Sequence, residues 1–430
     1  MASGKELYCW GSTSHGQLGL GGIEDEQILT PSQIPWTPDT AVQQVACGHR
    51  HTLFLTATGK VYACGSNDYS QLGHDLPTKR PRMSPFLLIP ELQDYVIIQI
   101  CCGSRHSLAL SDWGQVLSWG DNDCGQLGHA TDKEIVQLPK VVRQLVTKTV
   151  VQIACGNNHS LALTSCGELY SWGSNIYGQL GVNSPNDLTH CNYPLRLTTL
   201  LGIPLAAIAC GGNHSFLISK SGAVFGWGRN NCGQLGLNDE TNRSYPTQLK
   251  TLRTLGVRFV ACGDEFSVFL TNEGGVFTCG AGAYGQLGHG FSSNEMLPRM
   301  VMELMGSTIT QVACGNRHTL ALVPSRGRVY AFGLGSSGQL GTRSTKSLML
   351  PQVVIGPWVS PSGSALLQSN DSQVSLVIRQ IFSGGDQSIV TTTLFVDKVP
   401  PEDFRNYKTK ERLKYKLLQA IQQTQGFSLV

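Results

Sequence analysis

One tetrapeptide recurs seven times along this chain at a nearly constant interval, and no other feature limits the fold so strongly. Its copies are Gly16-Gln17-Leu18-Gly19, Ser70-Gln71-Leu72-Gly73, Gly125-Gln126-Leu127-Gly128, Gly178-Gln179-Leu180-Gly181, Gly233-Gln234-Leu235-Gly236, Gly285-Gln286-Leu287-Gly288 and Gly338-Gln339-Leu340-Gly341. From start to start they lie 54, 55, 53, 55, 52 and 53 residues apart. A second signature, Ala-Cys-Gly-x-x-His, alternates with the first around Gly48, Gly103, Gly156, Gly211, Gly263 and Gly315, and in altered form around Gly384. Its intervals are 55, 53, 55, 52, 52 and 69 residues, so the last unit carries an insertion of about 16. Self-similarity of this period marks an array of identical supersecondary units.

Inside each unit the pattern is β. Val151-Gln152-Ile153-Ala154-Cys155, Ser160-Leu161-Ala162-Leu163 and Leu169-Tyr170-Ser171-Trp172 are short apolar or alternating runs between glycine-bearing turns. A weaker fourth run follows a proline, as at 139–142 and 246–249. Three or four short antiparallel strands make one blade-like sheet, and such a sheet buries its two faces only against neighbours. The array is therefore a ring of radial blades or an open stack.

The two ends of the array choose the ring. Glu6-Leu7-Tyr8-Cys9-Trp10-Gly11 is the later half of a unit, and residues 378–387 are the earlier half. The two halves complete one another only if they meet, and no polar capping unit of the kind an open stack needs is visible. The expectation is an all-β, seven-bladed β-propeller over residues 1–396, one blade of which is closed by both termini. Its inner strands should come from about 377–396 and its outer strands from the N-terminus, which hides an otherwise exposed sheet edge. Residues 397–430 form a C-terminal tail, with 408–423 reading as a basic, glutamine-rich helix striped by Leu413, Leu417 and Ala420. A solvated tail or linker stub suits it better than a membrane or calmodulin-type helix.

The repeated residues have structural duties that fit this plan. Glycines at 16, 19, 125, 128, 178, 181, 233, 236, 338 and 341 (Gly16, Gly19, Gly125, Gly128, Gly178, Gly181, Gly233, Gly236, Gly338, Gly341) allow positive φ and close backbone approach. Leu18, Leu127, Leu180, Leu235 and Leu340 have the size to fill a gap between blades, and the glutamine amide can satisfy turn backbone groups while buried. His51, His106, His159, His214 and His318 occupy one repeat position, which Phe266 and Gln387 take in the other two copies. One ligand per blade would span too wide a circle for metal bonds of about 2 Å, so these histidines read as structural.

Composition enters where partners and compartment are at issue. The 49 glycines, about 11% of the chain against a usual ~7%, suit a turn-rich β protein. Residues 1–7 show no basic start followed by an apolar run, and no stretch of about 18 apolar residues occurs. A soluble, unsecreted protein is expected, cytoplasmic and also nuclear, monomeric and without a membrane partner. The net charge of +3 lies beyond position 396, where seven basic residues face four acidic ones; the rest holds 25 of each. A neutral body gives no strong nucleic-acid signal, although Lys79, Arg80 and Arg82 form a local patch. Of 14 cysteines, Cys47, Cys102, Cys155, Cys210, Cys262 and Cys314 recur at one repeat position. Equivalent positions on successive units should lie too far apart for a disulfide, and the thiols read as reduced, buried and small.

The alternating signatures, with Trp-Gly at Trp10, Trp119, Trp172 and Trp227, resemble the repeat of the regulator of chromosome condensation, the RCC1 type. The likeness runs from residue 5 to about 396. A narrower resemblance is to the small HERC ubiquitin ligases, in which such a propeller precedes a HECT domain. It is carried by Gly19-Leu20-Gly21-Gly22-Ile23, Gly226-Trp227-Gly228-Arg229-Asn230, Leu237-Asn238-Asp239-Glu240, Glu303-Leu304-Met305-Gly306-Ser307, residues 381–388, and Pro400-Pro401-Glu402-Asp403-Phe404-Arg405. Only 34 residues follow position 396, too few for a HECT domain with its thioester-forming cysteine. The resemblance thus implies the propeller end of such a ligase, with ligase activity belonging to the full-length relative. It implies protein partners, namely ubiquitination substrates, or alternatively a small GTPase on which the domain acts as guanine-nucleotide exchange factor, since the founding RCC1 propeller acts on Ran.

No catalytic constellation, cofactor site or metal site stands out. There is no Cys-x-x-Cys pair, no Gly-x-Ser-x-Gly elbow and no P-loop. Gly280-Ala281-Gly282-Ala283-Tyr284-Gly285 has the form of a dinucleotide fingerprint but sits between β runs with no helix pattern after it. The insertion at 356–377, with Pro357, Trp358 and Pro361, reads as a surface loop or as a partner-binding element.

Overall fold

The computed structural model describes residues 5–397 apart from 22–24, 37, 39, 76–85, 132, 183–187, 359–366 and 370–371. Seven antiparallel sheets follow one another around a central channel. Blade 1 is Val42–Cys47, His51–Thr56, Val61–Gly65 and Leu87–Leu88, ordered from the channel outward. Blades 2 to 6 repeat this plan, with inner strands Ile97–Cys102, Val150–Cys155, Leu205–Cys210, Val257–Cys262 and Gln311–Cys314.

Blade 7 is made by both ends of the chain. Ser372–Gly384 and Gln387–Asp397 supply its inner strands, Lys5–Ser12 and Gln27–Gln33 its outer ones, and short Leu367–Ser369 pairs alongside. Tyr8 stands opposite Val390, and Phe382 opposite Ile389, in one continuous sheet. Circular closure, read from the two half-units, is the architecture found.

Buried apolar side chains explain why a blade needs its neighbours. Among the described residues they fall into seven clusters, one in each gap between adjacent blades. The gap between blades 7 and 1, for example, packs Leu7, Cys9, Leu18 and Ile389 against Val45, Phe54 and Cys64. The second strands of blades 1 to 6 are buried along their whole length, as a central strand covered on both faces must be.

Two local features differ from the sequence reading. The fourth strands begin ahead of the proline: Pro139 lies within Ile135–Val141 and Pro246 within Arg243–Gln248. These are edge strands, where a missing N–H faces outward and costs no ladder bond. Trp358, expected in a surface insertion, is only 4% exposed and packs edge-on to Tyr8 at 5.6 Å and beside Trp10 at 6.3 Å. An insertion relative to the repeat thus opens with a core residue that seals the junction of the two chain ends. The patch of Lys79, Arg80 and Arg82, and the tail from 398 onward, lie outside the described residues.

Candidate protein-interaction face

The repeated tetrapeptide is a clasp from each blade onto the next. In blade 2 the loop after the third strand carries Gln126, whose main-chain carbonyl accepts from Ser160 Oγ at 2.9 Å and from the Trp172 indole at 2.8 Å, both in blade 3. The same carbonyl position serves Ser107 and Trp119 from Gln71, and Ser215 and Trp227 from Gln179. The glutamine side chain braces its own loop and reaches the next blade: Gln179 Oε1 accepts the Tyr177 N–H at 2.9 Å while its Nε2 donates to Ser174 Oγ at 3.2 Å and to Asn213 Oδ1 of blade 4 at 3.4 Å. Leu18, Leu127, Leu180, Leu235 and Leu340 are fully buried. At Gly181, φ is +67° and an added Cβ would stand 2.7 Å from the Trp227 indole nitrogen, so backbone conformation and close approach both require glycine.

The histidines complete this clasp. Nε2 of His51, His106, His159, His214 and His318 lies 2.9–3.0 Å from the hydroxyl of Ser107, Ser160, Ser215, Ser267 and Ser388 respectively, each in the following blade. Because that hydroxyl donates to the glutamine carbonyl, the histidine must donate from Nε2, which leaves Nδ1 without a proton and without a partner. Complete burial lowers all five pKa values to about 3, so the rings are neutral at physiological pH. Phe266 fills the position in blade 5 with a buried apolar ring. Gln387 fills it in blade 7, its Nε2 donating to Thr52 Oγ1 at 3.1 Å and to the Gly48 carbonyl at 3.3 Å across the closure.

A second set of contacts joins the inner strands. The side-chain amide of Gln99 donates to the Ile153 carbonyl at 3.0 Å and accepts the Ile153 N–H at 2.9 Å, so one amide imitates a strand pairing between blades. Gln44 does the same to Ile100, Gln152 to Ile208 and Gln311 to Ile381. The sequence signal was a glutamine recurring three residues before the cysteine, which was not singled out above.

With these residues committed to packing, one mouth of the channel gathers polar and charged groups on the turns between first and second strands and the loops after the third. Main-chain bonds run from turn to turn there: Ser104 N–H to Asn157 O, Asn157 N–H to Gly212 O, Gly212 N–H to Gly263 O, Asp264 N–H to Asn316 O and Asn316 N–H to Gly385 O, at 2.9–3.1 Å. Asp264 reaches across the mouth toward Asn157 at 3.2 Å and His49 at 3.9 Å. Three guanidinium groups lie over tyrosine rings of the preceding blade: Arg105 over Tyr69 at 4.3 Å, Arg229 over Tyr177 at 4.9 Å and Arg317 over Tyr284 at 5.2 Å. Arg229 also pairs with Glu265 at 2.9 Å, and exposed Ile176 sits beside Tyr177. Beneath this surface burial raises Asp121 to about 6, with Arg105 pulling the other way. The stacked pairs had a faint sequence trace, since each tyrosine immediately precedes the tetrapeptide; which arginine meets it depends on blade order. Among the described residues no group of three or more His, Cys, Asp or Glu is arranged to hold a metal ion.

The family model of the RCC1-like domain matches residues 6–390, which takes in all seven blades save the end of the strand Gln387–Asp397. The chain belongs to the RCC1-like domain family. As an RCC1-like domain it is 47% identical over 399 residues to the human "Probable E3 ubiquitin-protein ligase HERC4" and 46% identical over 401 residues to human HERC3, described in the same terms. Each match covers 93% of this chain but only 37% of the relative, so the chain spans little more than a third of those proteins. Among solved structures, yeast Prp20p superposes with a TM-score of 0.77 at 23% identity, covering 97% of this chain and 96% of that one. Human WBSCR16 gives 0.76 at 26% identity, over 90% and 98%. The fold is therefore that of RCC1-like propellers, and the kinship with HERC proteins supports a protein-interaction domain.

Proposed function

We propose that this RCC1-like domain is the partner- or substrate-recognition module of a HERC-type ubiquitin ligase and that it binds protein through the mouth bearing the three arginine–tyrosine stacks. The observation that carries the reading is those stacks. Arginine and tyrosine dominate binding hot spots, and guanidinium groups held over rings are preorganised, so less side-chain freedom is lost on association. Acids interleave with the cations, since Asp264 and Glu265 stand among Arg105, Arg229 and Arg317. Such mixed charge suits a protein epitope better than a phosphate backbone, which needs clustered cations of one sign.

The test compares the wild-type domain with a Tyr177→Ala, Arg229→Ala, Arg317→Ala triple variant in quantitative pull-downs, with melting curves for both. Loss of the enriched partners at near-unchanged melting temperature supports the reading; retention of the same partners by the variant removes the mouth as the binding face. Accelerated nucleotide release from a small GTPase would replace ligase recognition with exchange activity.

A further inference from the structure

Besides buried Cys101, six half-buried thiols line the central channel around a cavity of about 100 Å³: Cys47, Cys102, Cys155, Cys210, Cys262 and Cys314. Each is the last residue of an inner strand. Successive side chains of a strand point to opposite faces, so if this cysteine faces the preceding blade, the residue before it faces the following one. Blade 2 shows both directions. Cys102 Sγ reaches the Ala46 carbonyl of blade 1 at 3.4 Å, whereas Cys101 Sγ reaches Cys155 Sγ of blade 3 at 2.7 Å. The position before the cysteine is alanine in blades 1 and 3 to 6, at Ala46, Ala154, Ala209, Ala261 and Ala313, and Phe382 in blade 7. Only blade 2 places sulfur there. All six of these cysteines are free; the doublet Cys101-Cys102 stands outside an argument made from equivalent positions because its first member points the other way. The Gln99 amide clamp to Ile153 fixes the two strands beside the pair.

We propose that Cys101 and Cys155 are a redox-sensitive pair that oxidises to an inter-blade disulfide, locking blade 2 to blade 3 at the channel wall. Hydrogen peroxide, small enough to enter the channel, is the class of oxidant. The Cys155 thiolate attacks one peroxide oxygen, the O–O bond breaks, and the departing hydroxide takes up a proton as water. The Cys101 thiolate then attacks the sulfur of the resulting sulfenic acid, the S–O bond breaks, and a second water leaves. Two thiols lose two electrons and peroxide is reduced to two waters. Burial raises both thiol pKa values, which makes the first step slow near neutrality and faster as pH rises. A tripeptide disulfide is too bulky for this cavity, so the pair selects small oxidants.

The experiment treats the folded protein with hydrogen peroxide at neutral and alkaline pH, blocks remaining thiols in denaturant, and maps linked peptides by mass spectrometry. The expected product joins the Cys101-Cys102 peptide to the Cys155 peptide, forms faster at alkaline pH, reverts with dithiothreitol, and raises the melting temperature. Cys101→Ala, which installs the residue found in five other blades, abolishes the link; Cys102→Ala keeps it. A second variant, Ala154→Cys, puts a new thiol opposite Cys210 and gains a link to it. Oxidation that leaves Cys155 unlinked, a link that survives Cys101→Ala, or folded Ala154→Cys protein that gains no link would each overturn the proposal.

Discussion

The indole nitrogen of Trp10 donates to the main-chain carbonyl of Gln339 at 2.9 Å, a bond between residues 329 positions apart. It is the same clasp that joins other neighbouring blades, here closing the ring. Trp10 is fully buried beside Trp358, so Trp10→Ala should lower stability by about 3–5 kcal/mol, read as a large drop in melting temperature. Trp10→Phe keeps most of the packing and should cost about 1–3 kcal/mol, chiefly by leaving an acceptor short of one donor. Equal melting temperatures for the two variants would mean that packing, not the hydrogen bond, is immaterial to closure.

Glycine at the clasp can be tested against glycine in open space. Gly181→Ala meets the Trp227 indole nitrogen at 2.7 Å with φ at +67°, whereas Gly167→Ala has φ at +81° and nothing within 4 Å. The second change carries only the conformational penalty of about 1–2 kcal/mol. The first adds overpacking of about 1–3 kcal/mol, so its melting temperature should fall distinctly further.

Leu180 lies in the same clasp with no exposed surface. Leu180→Ala should destabilise by about 2–5 kcal/mol in chemical denaturation. An effect below about 1 kcal/mol would show that the loop relaxes to fill the space.

Acid should open the ring by protonating its histidines. In the folded protein His51, His106, His159, His214 and His318 titrate only near 3, whereas in the unfolded chain they titrate near 6.5. Their contribution is present in full above pH 6.5 and is lost as pH falls below it, because the unfolded chain then binds protons that the native rings refuse. At pH 5.5 the loss is about 1.4 kcal/mol per ring, or about 7 kcal/mol for the set, comparable with the whole stability of an ordinary domain. Near-ultraviolet circular dichroism should show unfolding between about pH 6 and 5. His159→Gln, which copies Gln387, should move that midpoint to lower pH.

The period, the β pattern and the two half-units sufficed to read the blades and their closure, because a ring of identical sheets repeats its signals seven times. The repeat marked out the glycine, leucine and histidine positions for the same reason. Less legible were contacts that pair unlike positions in neighbouring blades. Tyr177 meets Arg229, and Cys101 meets Cys155, through the inter-blade geometry that the repeat alone does not display. Trp358 was hidden differently, since it stands outside the repeat and its burial depends on both chain ends being present.

The sharing of blade 7 sets the timing of synthesis. Lys5–Ser12 is made well before its partner Gln387–Asp397, with the other six blades between them in the chain. At about 5–20 residues per second, the strand waits roughly 20–80 s with Leu7 and Cys9 uncovered. By the end of that interval six blades are complete while the apolar side chains of the seventh blade's N-terminal strand still wait for Phe382 and Ile389 to cover them.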